Sequence, residues 1–301
     1  MNPYLRAIRL ERWPRSTAIF LGSAAYLFLY RDFSLFSDLS LILRLLLSFL
    51  LTLFISTSNY IINEIADAPY DIHHPTKRNR PLIKGEIKII PFSLLGFLLI
   101  LAALIPAFLV YSASFFLSLL LLLIAGFVYN LKPIRTKDIP FLDAISESSN
   151  NPIRFLIGWF ALSPPDIFPP LTLLLCWWSF GNFLLVAKRL SEFRFLKEKA
   201  GDYRASLRKY SHKSLLLGMI ASSVVFIITY FYFAMAFRFQ SLFLISPFLL
   251  FYFFLFFRKT IKEKEVMEEP EQLLKSTKFA LYTVFLVLLF VLSFFIDKPG
   301  Q

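Results

Sequence analysis

Asn63, Asp67 and Asp71 recur at intervals of four in NEIADAPYD, and on a helix that interval stacks the three side chains on one face. Two carboxylates and an amide oxygen at the end of an apolar run suit a hard cation such as Mg²⁺. That ion takes oxygen ligands and completes its shell with water and substrate phosphates. Basic residues follow at once: Lys77, Arg78, Arg80 and Lys84 in PTKRNRPLIKG. They suit a polyphosphate beside the metal, because guanidinium and ammonium groups make charge-assisted hydrogen bonds to phosphate oxygens. A capped helix end followed by an ordinary basic loop uses the same residue types; the two features together favour the chemical reading. Pro69 disfavours helical geometry at Ala68 and removes a backbone donor, so the helix is expected to break or restart between the aspartates. His73 and His74 come next, and a polar loop accounts for them.

Three further groups interrupt apolar sequence. Lys132, Arg135 and Lys137 crowd a short turn in YNLKPIRTKDIPFLD. SESSNNPIR places Glu147, Asn150, Asn151 and Arg154 where a membrane span is expected, and ionisable groups at such depth face a bundle interior or a wet cavity. Asn150 and Arg154 are therefore candidates for touching substrate. An internal pair of Glu147 with Arg154, seven residues apart on one helix face, is the alternative. Lys188, Arg189 and Glu192 form a KRxxE pattern, for which a Lys188 to Glu192 pair one turn apart is the bland account.

The elements that must position these residues are membrane helices. Hydrophobic residues make up 57% of the 301, gathered in runs of about twenty, the length a bilayer requires. Nine spans can be drawn, at 17–30, 40–62, 89–109, 112–130, 139–162, 167–187, 214–236, 241–257 and 279–296. The connections are too short to bury cores of their own, so a single membrane domain over residues 1–301 is the economical architecture. Formal charge is +12, but the basic residues sit in loops between spans, where the positive-inside rule explains them and argues against nucleic acid as a partner. The same bias places the N-terminus and the long loops in the cytoplasm, with DKPGQ outside, in an inner or plasma membrane. MNPYLRAIRLERWPRS reads as a basic approach to the first span rather than a removable signal. Cys176 lies alone in an apolar run. No P-loop, HExxH, GxSxG or CxxC pattern supports nucleotide, zinc-protease, esterase or thiol chemistry. Paired broken helices in two halves, expected of a transporter, are not found.

NEIADAPYD followed by PTKRNRPLIKG resembles the first aspartate-rich motif of the UbiA superfamily of intramembrane prenyltransferases, usually NDxxDxxxD and then a basic segment with RP and a Gly. Glu64 stands where Asp is usual and keeps the charge on a longer arm. The resemblance implies an all-α bundle of about nine transmembrane helices around a lipid-open cavity. It also implies a metal at Asn63, Asp67 and Asp71, with Lys77, Arg78 and Arg80 on the substrate. YNLKPIRTKDIPFLD is similar to that family's Tyr and Lys segment, so Tyr129 and Lys137, or Lys132, would border a diphosphate. A second aspartate motif, where another Mg²⁺ usually binds, is replaced by KRLSE with a later RASLRKY. That pattern resembles the branch which transfers 5-phosphoribosyl from phosphoribosyl diphosphate to decaprenyl phosphate, with Lys188, Arg189 and Glu192 on the donor.

The implied activity is Mg²⁺-dependent transfer of 5-phosphoribosyl to a polyprenyl phosphate within membrane lipid. Asp67, Asp71, Lys137 and Tyr129 would be catalytic. The alternative keeps the fold and moves a prenyl group from a prenyl diphosphate onto an aromatic or lipid acceptor, an isoprenoid substrate in either case.

Overall fold

A computed structural model of the chain describes residues 2–30, 38–72, 77–197, 200–262 and 276–297, and the regular structure among them is entirely helical. His73 and His74 lie outside the described residues, as does the side chain of Lys77. In lipid the backbone has no water to bond, so an apolar run satisfies its N–H and C=O groups internally by coiling. The helices are α1 (Pro3–Ala7), α2 (Ile19–Tyr30), α3 (Leu39–Asp71), α4 (Ile89–Val110), α5 (Ala113–Asn130), α6 (Leu142–Ser148), α7 (Asn150–Leu162), α8 (Leu171–Leu196), α9 (Ala200–Tyr203), α10 (His212–Ala236), α11 (Gln240–Lys262) and α12 (Thr277–Ile296). Seven of those described, α3, α4, α5, α8, α10, α11 and α12, are long and apolar enough to cross a bilayer.

Two expected spans differ. Residues 17–30 yield only the 12-residue α2, preceded by a 3-10 stretch over Leu10–Ala18 in which Pro14 withholds a backbone donor. Residues 139–162 divide at Ser149 into α6 and α7. Pro152 in the first turn of α7 has no N–H to bond back to Ser148, so the helix restarts there. The expected break at Pro69 does not occur: α3 runs through it to Asp71. Contacts from outside the helix hold that last turn, because Arg135 donates to the Ala66 carbonyl at 3.3 Å and Arg80 binds Asp71. With 33 residues, α3 is about 50 Å long against a hydrocarbon core of about 30 Å. Its polar final turns can therefore extend beyond the lipid.

The chain forms two compact units, residues 1–137 with 149–169, and residues 138–148 with 170–301. In the first unit α3 packs on α4, α5 and α7, and α2 lies along α7. The α2–α7 seam has no room for side chains: a Cβ on Gly22 would lie 2.0 Å from the Phe155 carbonyl oxygen, and one on Gly158 would lie 1.7 Å from that of Ile19. Small residues of this kind let membrane helices approach backbone to backbone. Across the same seam the Ser23 hydroxyl donates to the Gly158 carbonyl at 2.7 Å. Gly158→Ala is expected to cost about 2 kcal/mol or more, since backbone rather than a flexible side chain must move. A thermal-unfolding midpoint equal to wild type in detergent would show that the seam can slip. A small core of Ala7, Ile61, Ile87 and Phe92 ties α1 to the polar end of α3 and the start of α4.

In the second unit α8 packs along α10 and α6 packs on α8. An aromatic core joins α8, α10 and α11, with Phe183 and Phe226 edge-on or tilted against Phe253 at 4.9 and 5.0 Å. Large apolar side chains such as Ile90, Phe108, Leu244 and Phe295 stand exposed, as expected where the solvent is lipid rather than water.

Candidate functional site

The cluster in the first unit is built where α3 ends and α5 gives way to the turn after it. Asp67 accepts from Arg135 at 2.9 Å and from the Lys137 ammonium. Lys137 also donates to the Asn130 amide oxygen at 3.0 Å, and Asn63 donates to the same oxygen. Asn130, the last residue of α5, is fixed in turn by donating to the Gly126 carbonyl at 2.9 Å. Arg135 has a left-handed backbone, φ 36°, a conformation that costs a non-glycine residue energy and concentrates at functional sites. Its guanidinium donates to the Asn130 carbonyl at 3.0 Å and lies 4.6 Å from the Tyr70 ring centroid. The Lys137 ammonium lies 5.9 Å from the Tyr129 ring.

One turn further along α3, Asp71 is bound by Arg80. Arg80 also reaches Glu64 at 3.4 Å, and Glu64 accepts from Arg9 at 2.8 Å. Glu64 is only 2% exposed, so the residue that departs from the family motif clasps the N-terminal segment and the basic loop together. The structure thus brings Asn63, Asp67, Asp71, Arg80, Tyr129 and Lys137 into one end of this unit. Arg78 is exposed beside them. Asn130 and Glu64 join this cluster and were not singled out as site residues by sequence reasoning. The signal for Asn130 was a lone amide at the end of an apolar run, spaced four residues from Gly126.

A hard cation fits the oxygens present. Asn63 is oriented with its amide nitrogen toward Asn130, which leaves its oxygen as the atom that could face a cation. Asp67 and Asp71 add carboxylate oxygens from the same face of α3. Among the described residues no group of three or more His, Cys, Asp or Glu side chains gathers at metal spacing. Asn63, Asp67 and Asp71 would supply a partial shell of oxygens, the kind that Mg²⁺ completes with water and phosphate.

The second unit holds another charged cluster. Arg189 has no exposed side-chain surface; its guanidinium binds Asp143 at 2.7 Å, Glu147 at 3.0 Å and Glu192 at 3.2 Å. Expected to hold substrate, it joins α6 to α8 as a hub of ion pairs. Glu192, 1% exposed, is one of its anchors, and Arg204 stands 3.9 Å from that carboxylate. Lys188 is 9% exposed on the same helix. Asp143 also accepts from Ser206 at 3.0 Å and from the Tyr210 hydroxyl at 2.6 Å. Burial, then the adjacent Asp143 charge, push the Tyr210 hydroxyl well above its ordinary value; it stays protonated and remains a donor. Glu147 pairs with Arg189 across α6 and α8. Arg154 lies on α7, 9% exposed, with Asn150 one turn before it at the helix start.

A family model for the UbiA prenyltransferase family matches residues 19–279. The chain is 22% identical over 232 residues to a decaprenyl-phosphate phosphoribosyltransferase of Mycolicibacterium smegmatis, a match covering 75% of this chain and 68% of that protein. Among solved structures, a UbiA homolog from Archaeoglobus fulgidus bound to DMAPP and Mg²⁺ has a TM-score of 0.69 at 22% identity, covering 98% of this chain and 99% of the other. The same homolog bound to GPP and Mg²⁺ gives 0.68 at 22% identity over 97% and 99%. A digeranylgeranylglyceryl phosphate synthase gives 0.66 at 18% identity over 98% and 96%. With its helices, its aspartate-bearing α3 and this match along most of its length, the chain belongs to the UbiA prenyltransferase family and is a multi-pass membrane-embedded transferase.

Proposed function

We propose that the chain transfers 5-phosphoribosyl from phosphoribosyl diphosphate to a polyprenyl phosphate, with Mg²⁺ as cofactor. The observation that carries the choice of donor is the charge pattern at residues 188–192. Where a prenyltransferase of this family usually has a second aspartate motif, this chain has Lys188, Arg189 and Glu192, and Arg189 engages three carboxylates of its own unit. The likeness to the mycobacterial phosphoribosyltransferase supports the same choice.

In this reading the bond between C1 of the ribosyl group and the diphosphate oxygen breaks, and C1 bonds to an oxygen of the acceptor phosphate. The diphosphate leaves with the electron pair. Asn63, Asp67 and Asp71 hold the metal, which when bound supplies positive charge to the departing diphosphate. Lys137, steadied by Asn130, and Tyr129 border that diphosphate. Lys77, Arg78 and Arg80 extend the positive field. The acceptor oxygen is already anionic, so no strong general base is needed. Lys188 contributes to donor recognition, Arg189 and Glu192 by keeping α8 in place. The N-terminal segment and the site loops face the cytoplasm in this proposal. The Arg6–Glu86 and Arg9–Glu64 pairs support placing them on one side, because they join the N-terminal segment to the loop and helix end that carry the site; the excess of basic residues in these segments is what favours the cytoplasm.

A second reading, prenyl transfer from a prenyl diphosphate, draws support from the solved homologs bound to DMAPP and GPP. Purified protein in detergent with Mg²⁺, polyprenyl phosphate and labelled phosphoribosyl diphosphate should move label into the lipid phase, and EDTA should stop it. Lys188→Ala should lower this transfer about tenfold, the loss of one charge-assisted contact. Absence of that transfer, together with transfer from a labelled prenyl diphosphate, would decide for the second reading.

A further inference from the structure

Arg154 is a buried cation whose guanidinium Nε has no hydrogen-bond partner among the described residues. Membrane interiors hold such a group at considerable cost unless an opposite charge meets it. Its electrostatic neighbours are Arg15 and Tyr60, and the guanidinium of Arg12 lies over the Tyr60 ring at 5.8 Å. These residues come from the 3-10 stretch before α2, from α3 and from α7, all within the first unit. The stretch and α3 meet at Ser16 and Ser56, 3.5 Å apart, and α2 is locked to α7 at the glycine seam. The packing of these elements thus sets Arg154 beside the like charge of Arg15, and among the described residues no acidic side chain is one of its electrostatic neighbours.

We infer that Arg154, with Arg15, Arg12 and Tyr60, forms a binding site for a phosphoryl group, separate from the aspartate cluster. A phosphate monoester carries the charge and the oxygen geometry that guanidinium forks recognise, and Tyr60 can add a hydroxyl donor. Two sources share this chemistry in the proposed reaction: the 5-phosphate of the donor and the phosphate of the lipid acceptor. The choice between them rests on the transferase reading; the phosphoryl site does not.

Purified protein in detergent would be titrated with ribose 5-phosphate, farnesyl phosphate and inorganic phosphate, following the melting midpoint. Wild type should be stabilised by at least one of them. Arg154→Met should weaken that affinity about ten- to a hundredfold, the loss of one or two charge-assisted contacts. Without ligand it should melt at or above wild type, because an uncompensated buried charge has been replaced by apolar volume. Arg15→Gln should weaken the same probe while folding normally. Asp67→Asn, which removes a proposed metal ligand, should leave probe affinity unchanged, so binding is scored apart from transfer. The probe with the larger Arg154-dependent shift identifies the source. The proposal is overturned if no probe stabilises wild type or if Arg154→Met binds as well as wild type. It is equally overturned if Arg154→Met fails to fold or melts below wild type, since the cation is then a structural one.

Discussion

Asp67→Asn is expected to lower transfer about a thousandfold or more while leaving the chain folded. The amide preserves shape and loses charge, so the effect isolates electrostatics. Arg135 and Lys137 converge on this carboxylate, and both are nearly buried, at 7% and 6% exposure. Neutralising Asp67 leaves two cations facing each other and removes a proposed metal ligand; losing about 4 kcal/mol of transition-state stabilisation would give that rate effect. The two consequences separate in a double variant. Adding Lys137→Met should restore part of the melting midpoint, because the charge balance returns, but should not restore transfer. Transfer within tenfold of wild type in Asp67→Asn would remove the basis for a metal on α3.

Arg189→Met should be the most destabilising single change in the second unit, at about 3–5 kcal/mol, the range found when one member of a buried ionic network is deleted. Asp143 and Glu192, at 0% and 1% exposure, would lose their guanidinium and have no access to water. Glu147 is less enclosed, with 25% of its side chain accessible, and Glu147→Gln should cost under about 1 kcal/mol. Thermal or denaturant unfolding in detergent measures both. If Arg189→Met melted like wild type and lost only donor affinity, Arg189 would be a ligand-contacting residue after all.

What sequence reasoning reached here follows from how local each feature is. Apolar runs place most of the spans because bilayer thickness and backbone satisfaction act on contiguous residues. Four-residue spacing places Asn63, Asp67 and Asp71 on one face because helical geometry is local too. Pro69 misled because the last turn of α3 is also held from outside the helix, by Arg135 on the Ala66 carbonyl, which arrives from a turn 69 residues away. The partners of Arg189 were out of reach of sequence reasoning in a similar way. Its sequence neighbours suggest a pair with Glu192 or a free cation, whereas Asp143 lies 46 residues earlier and Glu147 lies 42 earlier. Nothing within the KRLSE segment encodes those partners. Glu64 was read as a lengthened Asp; the longer arm is what lets it span Arg9 and Arg80. The division of residues 139–162 was legible in part, since SESSNNP carries the helix-breaking composition at the observed break.

The pairing of the two aspartates has a consequence for the order in which the chain can assemble during synthesis. Asp71 meets Arg80 after nine residues, so that contact can form as soon as the loop leaves the ribosome. The contacts of Asp67 with Arg135 and Lys137 span 68 and 70 residues, and neither exists until α4 and α5 have been made and inserted. Arg9 likewise precedes Glu64 by 55 residues. Long-range closures of this kind come late, after the chain entropy of the intervening loop has been overcome. The basic half of the motif is therefore in place early, and the half proposed to do chemistry is completed only when the first unit's membrane helices have docked.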